Sequence, residues 1–189
     1  MGDVEMLVIG IDPGTQATGY GLVESREQGE PLFVDGGVIS PRRARDPIEL
    51  RVQAIYAGLR RVLSDYSPAV AAVEGMFLAG NIKAAQRLGE VRGVIYLALA
   101  EAQIPLVEYP PLAVKKAVVG YGQATKDQVQ EMINRRLRLP VFSGGVPGRQ
   151  TQSGLKNPGG KIPYDLSDAL AVALCHLQTR KLQNLLAKS

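Results

Sequence analysis

The chain has 189 residues, enough for one domain, and 46% of them are hydrophobic against 21% charged. That balance excludes wholesale disorder, and a core of this size needs no disulfide or metal to hold it. Lys and Arg number 22 against 18 Asp and Glu, and the resulting +4 permits a polyanionic partner without requiring one. Cys175 is the only cysteine and His176 the only histidine. An intrachain disulfide, a multi-cysteine zinc centre and a multi-histidine metal site are therefore excluded. The opening MGDVEMLVIGID lacks the basic start of a signal peptide, and no uninterrupted apolar stretch reaches the roughly 20 residues of a membrane span. The expected setting is the reducing cytoplasm, with no membrane partner.

Residues 7–11, LVIGI, are a continuous apolar run and read as a buried strand, ended by Asp12-Pro13-Gly14-Thr15. TGYGLVES and PLFVDGGVIS add two short strands, too close together for crossover helices, so an antiparallel meander is expected. Arg42, Arg43 and Arg45 form a basic cluster in the loop that follows. From Pro47 the period changes: Ile48, Leu50, Val52, Ile55, Leu59, Val62 and Leu63 form a helical stripe, which Pro68 follows. AVAAVEG, residues 69–75, reads as a buried strand. A helix over 82–102 carries apolar residues on more than one face, which reads as a buried helix. IPLVEY is a strand, and helices are expected over 112–118 and 126–137. Residues 140–163 hold six Gly, four Pro and no acid, with Arg149, Lys156 and Lys161 as their only charges. They read as a long basic loop. YDLSDALAVALCHLQTRKLQNLL reads as a closing amphipathic helix. The sum is one α/β domain over 1–189: a central five-stranded mixed sheet flanked by helices.

The acids that interrupt apolar surroundings are the candidates for chemistry. Asp12 ends the first strand and Glu74 ends the strand over 69–74. Asp165 and Asp168, three apart at about 100° per residue, share one face of the last helix. Each has a plain alternative. Asp165 can cap a helix, Asp168 can complement its dipole, Glu74 can mark where a strand meets water, and Asp12-Pro-Gly can be a turn. If the two strands are parallel neighbours, however, Asp12 and Glu74 stand together at the carboxyl edge of a sheet, where open α/β sheets place ligands. Two like charges about 4 Å apart repel by about 4 kcal/mol at an effective dielectric of 20, so folding alone gives no reason to gather four. Hard oxygen donors suit a pair of Mg²⁺ or Mn²⁺ ions, and two such ions serve an in-line phosphoryl displacement by water without a side-chain nucleophile. Cys175 and His176 lie about two helical turns past Asp168 and read as structural.

IGIDPGTQATGYG (9–21), VEGMF (73–77), RLGEVRGV (87–94), VKKAVVGYGQATKDQV (114–129) and DLSDALAVALCH (165–176) occur in this order. Together they resemble the RuvC family of Holliday-junction resolvases, on the RNase H-like (retroviral integrase) fold. The resemblance implies a homodimer that nicks two strands of a four-way DNA junction symmetrically, leaving ligatable ends with 5′-phosphate and 3′-hydroxyl. It implies catalytic and metal-binding roles for Asp12, Glu74 and Asp168, and for Asp165 at a position that is Asp in some members and His in others. It implies DNA contacts at Lys115 and Lys126, with Lys116 and Arg92 as weaker candidates. Phe77, three residues after Glu74, is expected to stack on an unpaired base at the junction centre; a place in the core is its alternative. A branch-migration helicase complex is the further partner the family implies. The loop over 140–163 is longer than the family's usual connection, and it is expected either to contact the junction or to be a spacer.

Three other readings compete. A non-catalytic junction-binding module would share the basic residues but not need four acids. An ATP-binding domain of the actin and sugar-kinase type would explain DPGTQATG as a phosphate hairpin. That type uses two related domains, and 189 residues without a repeat are too few. A general RNase H-like nuclease would act on RNA or on RNA–DNA hybrids, and the Phe77 and VKKAVVGYGQATK matches favour the resolvase over it.

Overall fold

The computed structural model describes residues 5–41, 46–76, 82–139 and 162–187. Five strands, β1 (Leu7–Asp12), β2 (Thr18–Glu24), β3 (Leu32–Ile39), β4 (Val70–Glu74) and β5 (Leu106–Tyr109), form one sheet in the order β3-β2-β1-β4-β5. The first three are the antiparallel meander that their short connections demand. β4 and β5 join in parallel, each after a helical crossover: α1 (Ile48–Tyr66) and α2 (Ile82–Glu101). Three helices follow, α3 (Pro111–Val119), α4 (Lys126–Leu137) and α5 (Tyr164–Leu186). The expected elements are all present, with ends shifted by a residue or two.

The sheet separates two cores. α1 and α2 cover one face with Ile55, Leu59, Ile95 and Leu99 against Ile9, Ile11 and Val73. α3, α4 and α5 cover the other with Val114, Ile133, Leu166 and Leu170 against Val8 and Ala72. β1, at the centre, is apolar on both faces because it is buried on both.

α5 departs from the simple amphipathic expectation. Every residue from 166 to 176 is buried except Asp168, because this stretch lies between the sheet and the α3–α4 pair. Beyond this stretch the later turns face outward, with Leu182, Leu185 and Leu186 exposed. The helix can lie this low because two strand residues lack side chains. A Cβ at Gly10 would overlap the Ala169 carbonyl, and one at Gly19 the Asp165 carbonyl. Cys175 and His176 are core residues, and His176 Nδ1 lies 2.9 Å from the Tyr109 hydroxyl.

Residues 140–161 lie outside the described structure, so the expected basic loop is not seen apart from its last two residues. Of these, Ile162 is buried, and its carbonyl accepts a 2.7 Å hydrogen bond from the buried Gln130 amide. The Arg42–Arg43–Arg45 cluster also lies outside the described residues.

Candidate active site

Asp12 and Glu74 meet because of strand register. β1 and β4 run parallel with Ile11 opposite Val73, so the residues that follow stand side by side at the carboxyl edge. Asp12 is also opposite Gly19 of β2, the residue on which the first turn of α5 rests. That contact brings Asp165 and Asp168 to the same edge. The four expected acids thus come from two strands and one helix.

Their electrostatics follow from this crowding. Burial, and then the charges of Glu74, Asp168 and Asp165, push the Asp12 carboxyl from 3.8 to about 8. Protonated Asp12 hydrogen-bonds to Glu74. Glu74 is itself raised by burial and by Asp168, against the opposing pull of the Asp12 hydrogen bond, Lys126 and Lys115. Asp165 is raised by burial and by Asp168, with Lys126 opposing.

Two cations approach this edge. Lys126 Nζ lies 3.1 Å from Asp168 Oδ2. Burial works against the Lys126 charge, but Asp168, Asp12 and Asp165 outweigh it and raise its pKa. The residue is held at the first position of α4 by a capping box. Thr125 Oγ1 accepts from the Gln128 amide at 3.3 Å, and Gln128 Oε1 accepts from the Thr125 amide at 2.9 Å. The T-x-x-Q spacing in ATKDQ carries this signal in the sequence. Lys115, half-buried on α3, is close enough to lower the Glu74 pKa. Lys116 is exposed about 100° further round that helix.

Two expected DNA residues fare differently. Phe77 lies outside the described residues. Arg92 is not on the DNA-accessible surface: it is buried, and its guanidinium is committed to Glu74, Tyr96 and Glu108. An arginine inside an apolar-patterned helix has no sequence signature that separates an inward tether from a solvated charge. Tyr164, not singled out in the sequence, is 43% exposed directly before Asp165. Its ring centroid lies 5.8 Å from Lys126 Nζ, and its hydroxyl donates to Asp127 Oδ1 at 2.8 Å.

The donor set fits hard divalent cations: carboxylate oxygens only, on rigid elements, with too much negative charge to be ionised together. Among the described residues, no three His, Cys, Asp or Glu side chains already converge as a ready ligand group. The shared Asp12–Glu74 proton and the Lys126–Asp168 pair balance the charge instead. Both would have to give way for a cation to bind there.

A family model described as Crossover junction endodeoxyribonuclease RuvC matches residues 8–143. A crossover junction endodeoxyribonuclease RuvC from Syntrophotalea carbinolica is 43% identical over 96% of this chain and 99% of its own length. One from Geobacter sulfurreducens is 40% identical over 96% of this chain and 98% of its own. Among solved structures, T. thermophilus RuvC in complex with Holliday junction substrate superposes with a TM-score of 0.78 at 30% identity, covering 94% of this chain and 96% of that one. The yeast mitochondrial Holliday junction resolvase Ydc2, at 14% identity and a TM-score of 0.63, shares the fold. The β3-β2-β1-β4-β5 sheet with its flanking helices is accordingly the RNase H-like architecture of these nucleases, and the chain belongs to the RuvC family of crossover junction endodeoxyribonucleases.

Proposed function

We propose that this protein resolves four-way DNA junctions by cutting two strands of like polarity, with Asp12, Glu74, Asp165 and Asp168 holding two Mg²⁺ or Mn²⁺ ions. The observation that carries the reading is the gathering of four carboxylates at the β1–β4 edge in a chain of this family. When bound, such ions activate water towards the phosphodiester and neutralise the departing 3′ oxygen. The protein's own part is orientation. Asp12 and Glu74 are fixed by the sheet, and Asp165 and Asp168 by the seat of α5 on Gly19. Asp12 gives up its proton as positive charge arrives, because the ionised form then gains an attractive partner.

Lys126 and Lys115, beside the carboxylates, and Lys116, further out, are the proposed phosphate contacts, so junction binding should weaken steeply with salt. Phe77 is the proposed stacking residue at the junction centre, as the family resemblance implies. The loop over 140–163, with three positive and no negative charges and attached just before Asp165, is proposed to contact or guard the junction near the metal site. Deleting 144–160 should weaken junction affinity or cutting, and unchanged values for both would reject that role.

Paired cutting needs two sites, and the reading therefore includes a homodimer of this single domain. It is supported by exposed apolar side chains on α2 and on the edge strand β5, where Leu97 is 52% exposed, Leu106 37% and Val107 36%. Sedimentation of the wild type and of Leu97→Glu tests it: the variant should sediment as a monomer. The cytoplasm, where the bacterial relatives' DNA lies, is the proposed setting. A branch-migration helicase complex is the proposed further partner.

The deciding experiment is cleavage of an end-labelled four-way junction with Mg²⁺ or Mn²⁺ beside a linear duplex of the same arm sequence, over several core sequences. Paired, symmetric, ligatable nicks in the junction alone are expected. Equal cutting of the duplex would make the protein a general nuclease. Tight binding without cutting would favour a binding module.

A further inference from the structure

Arg92 carries a charge into the interface between α2 and the sheet, where only 6% of the residue stays exposed. Its Nη1 donates to the main-chain carbonyl of Glu74 at 2.6 Å. Its Nη2 donates to the Tyr96 hydroxyl at 2.6 Å and to Glu108 Oε1 at 2.5 Å. Tyr96 donates to the same Glu108 oxygen, and its ring centroid lies 5.4 Å from the guanidinium carbon. A buried charge is costly to desolvate, and an apolar side chain would fill this space in a helix just as well. The ion pair therefore calls for a reason beyond packing.

The carbonyl that Arg92 holds is that of the last residue of β4. The same peptide unit is held from its other side, since the Gly75 amide donates to the Tyr109 carbonyl at 2.8 Å. With its oxygen anchored from α2 and its N–H from β5, this peptide plane has little freedom to turn. The direction of the Glu74 side chain from its Cα is fixed with it.

We propose that Arg92 is a positioning residue: a fork from α2 that locks the Glu74 peptide to Glu108 of β5 and so aims the Glu74 carboxylate at incoming divalent cations. The inference rests on the reading of Glu74 as a cation ligand. Lysine cannot replace the fork, because one ammonium does not span a main-chain carbonyl and a carboxylate in two fixed directions. The far end of the tether, Glu108, lies on the same side of the edge strand β5 as the exposed Leu106, and its side chain remains 45% exposed.

The test is Mn²⁺ binding to the DNA-free protein by titration calorimetry, with the metal-free Tm measured alongside. The proteins are wild type, Arg92→Lys, Arg92→Met, Glu108→Gln and Glu74→Gln. A positioning role predicts that Arg92→Lys weakens Mn²⁺ binding by about tenfold or more, the usual cost of losing a group that orients a ligand. Glu108→Gln should weaken it in the same direction by less. If Arg92→Met does not fold, the lysine and glutamine variants carry the test. Wild-type Mn²⁺ affinity in Arg92→Lys and Glu108→Gln, with only Tm lowered, would make the tether purely structural and overturn the proposal. Glu74→Gln separates the two ideas. If it binds Mn²⁺ as the wild type does, both the reading of Glu74 and this inference fall. If it loses affinity while Arg92→Lys does not, the inference falls alone.

Discussion

Lys126 places its ammonium 3.1 Å from Asp168 Oδ2, so one of the four carboxylates is already paired with a cation of the protein's own. The pair joins the first residue of α4 to the second turn of the α5 edge, and the capping box at Thr125 fixes where it begins. The lysine is 65% exposed, which keeps the bond weak and exchangeable. An exposed pair of this kind is worth about 0.2–1 kcal/mol.

Removing that ammonium should ease cation entry. Lys126→Met is expected to bind Mn²⁺ up to roughly fivefold more tightly in the absence of DNA, the equivalent of about 1 kcal/mol. Junction cutting should nevertheless fall, because a phosphate contact is lost. Calorimetry and a cleavage time course check the two halves, and weaker Mn²⁺ binding would contradict the competition.

Asp12→Asn should keep the fold and junction binding while cutting drops more than about 100-fold, the scale set by losing a central charge-stabilising group. Gel-shift and cleavage assays on the same junction decide it. Wild-type cutting would remove the metal role assigned to Asp12.

The same substitution should change how stability depends on pH. The Asp12 carboxyl is raised from 3.8 to about 8, chiefly by burial and then by its acidic neighbours. Between those values the folded form binds a proton that the unfolded chain does not. The stabilisation is fully present below about pH 4 and is lost as pH rises through about 8. An asparagine side chain at this position does not titrate. In EDTA the Asp12→Asn variant should therefore gain on the wild type between pH 5 and pH 8, by on the order of a few kcal/mol. Urea midpoints at both values test this, and a gap that does not grow with pH would refute it.

Divalent cations should stabilise the folded chain without DNA. Ligand at 100 times its Kd adds about 2.7 kcal/mol, which for a chain of this size raises Tm by roughly 5–11 °C. The shift should be larger at pH 8 than at pH 6, since fewer protons have to leave. It should vanish in Asp12→Asn. A thermal melt series in Mg²⁺ and Mn²⁺ provides the measurement.

Gly19→Ala should unseat α5, because the new Cβ would overlap main-chain atoms at Asp165 that cannot simply rotate away. Overpacking costs typically 1–3 kcal/mol, and contact with backbone puts this case at about 3 or more, a fall of roughly 6–12 °C in Tm. Cutting should fall even below that temperature, since Asp165 and Asp168 move with the helix. A variant with wild-type Tm would show that α5 can shift without cost.

Much of this molecule is legible in its sequence. The change from clustered strands to alternating helix and strand points to a mixed sheet, because short connections force antiparallel pairing and long ones allow crossovers. Asp12 and Glu74 stand out because each acid ends an apolar run. What remained hidden depends on three-dimensional direction. Arg92 lies in a helix whose apolar pattern says nothing about which way one arginine turns. α5 looks amphipathic as a string, yet residues 166–176 are buried save for Asp168, because the helices that cover them are distant in sequence.

The dependence on α5 has a consequence for synthesis. A ribosome releases the chain from its N-terminus, so β1 through α4 emerge before Asp165 and Asp168 exist outside the tunnel. Two of the four acids and the central buried helix of the larger core arrive together, after every strand. A partly made chain therefore holds half the acids and no platform to set them on. On the proposed role of these acids, cutting would begin only once that one helix has emerged and docked.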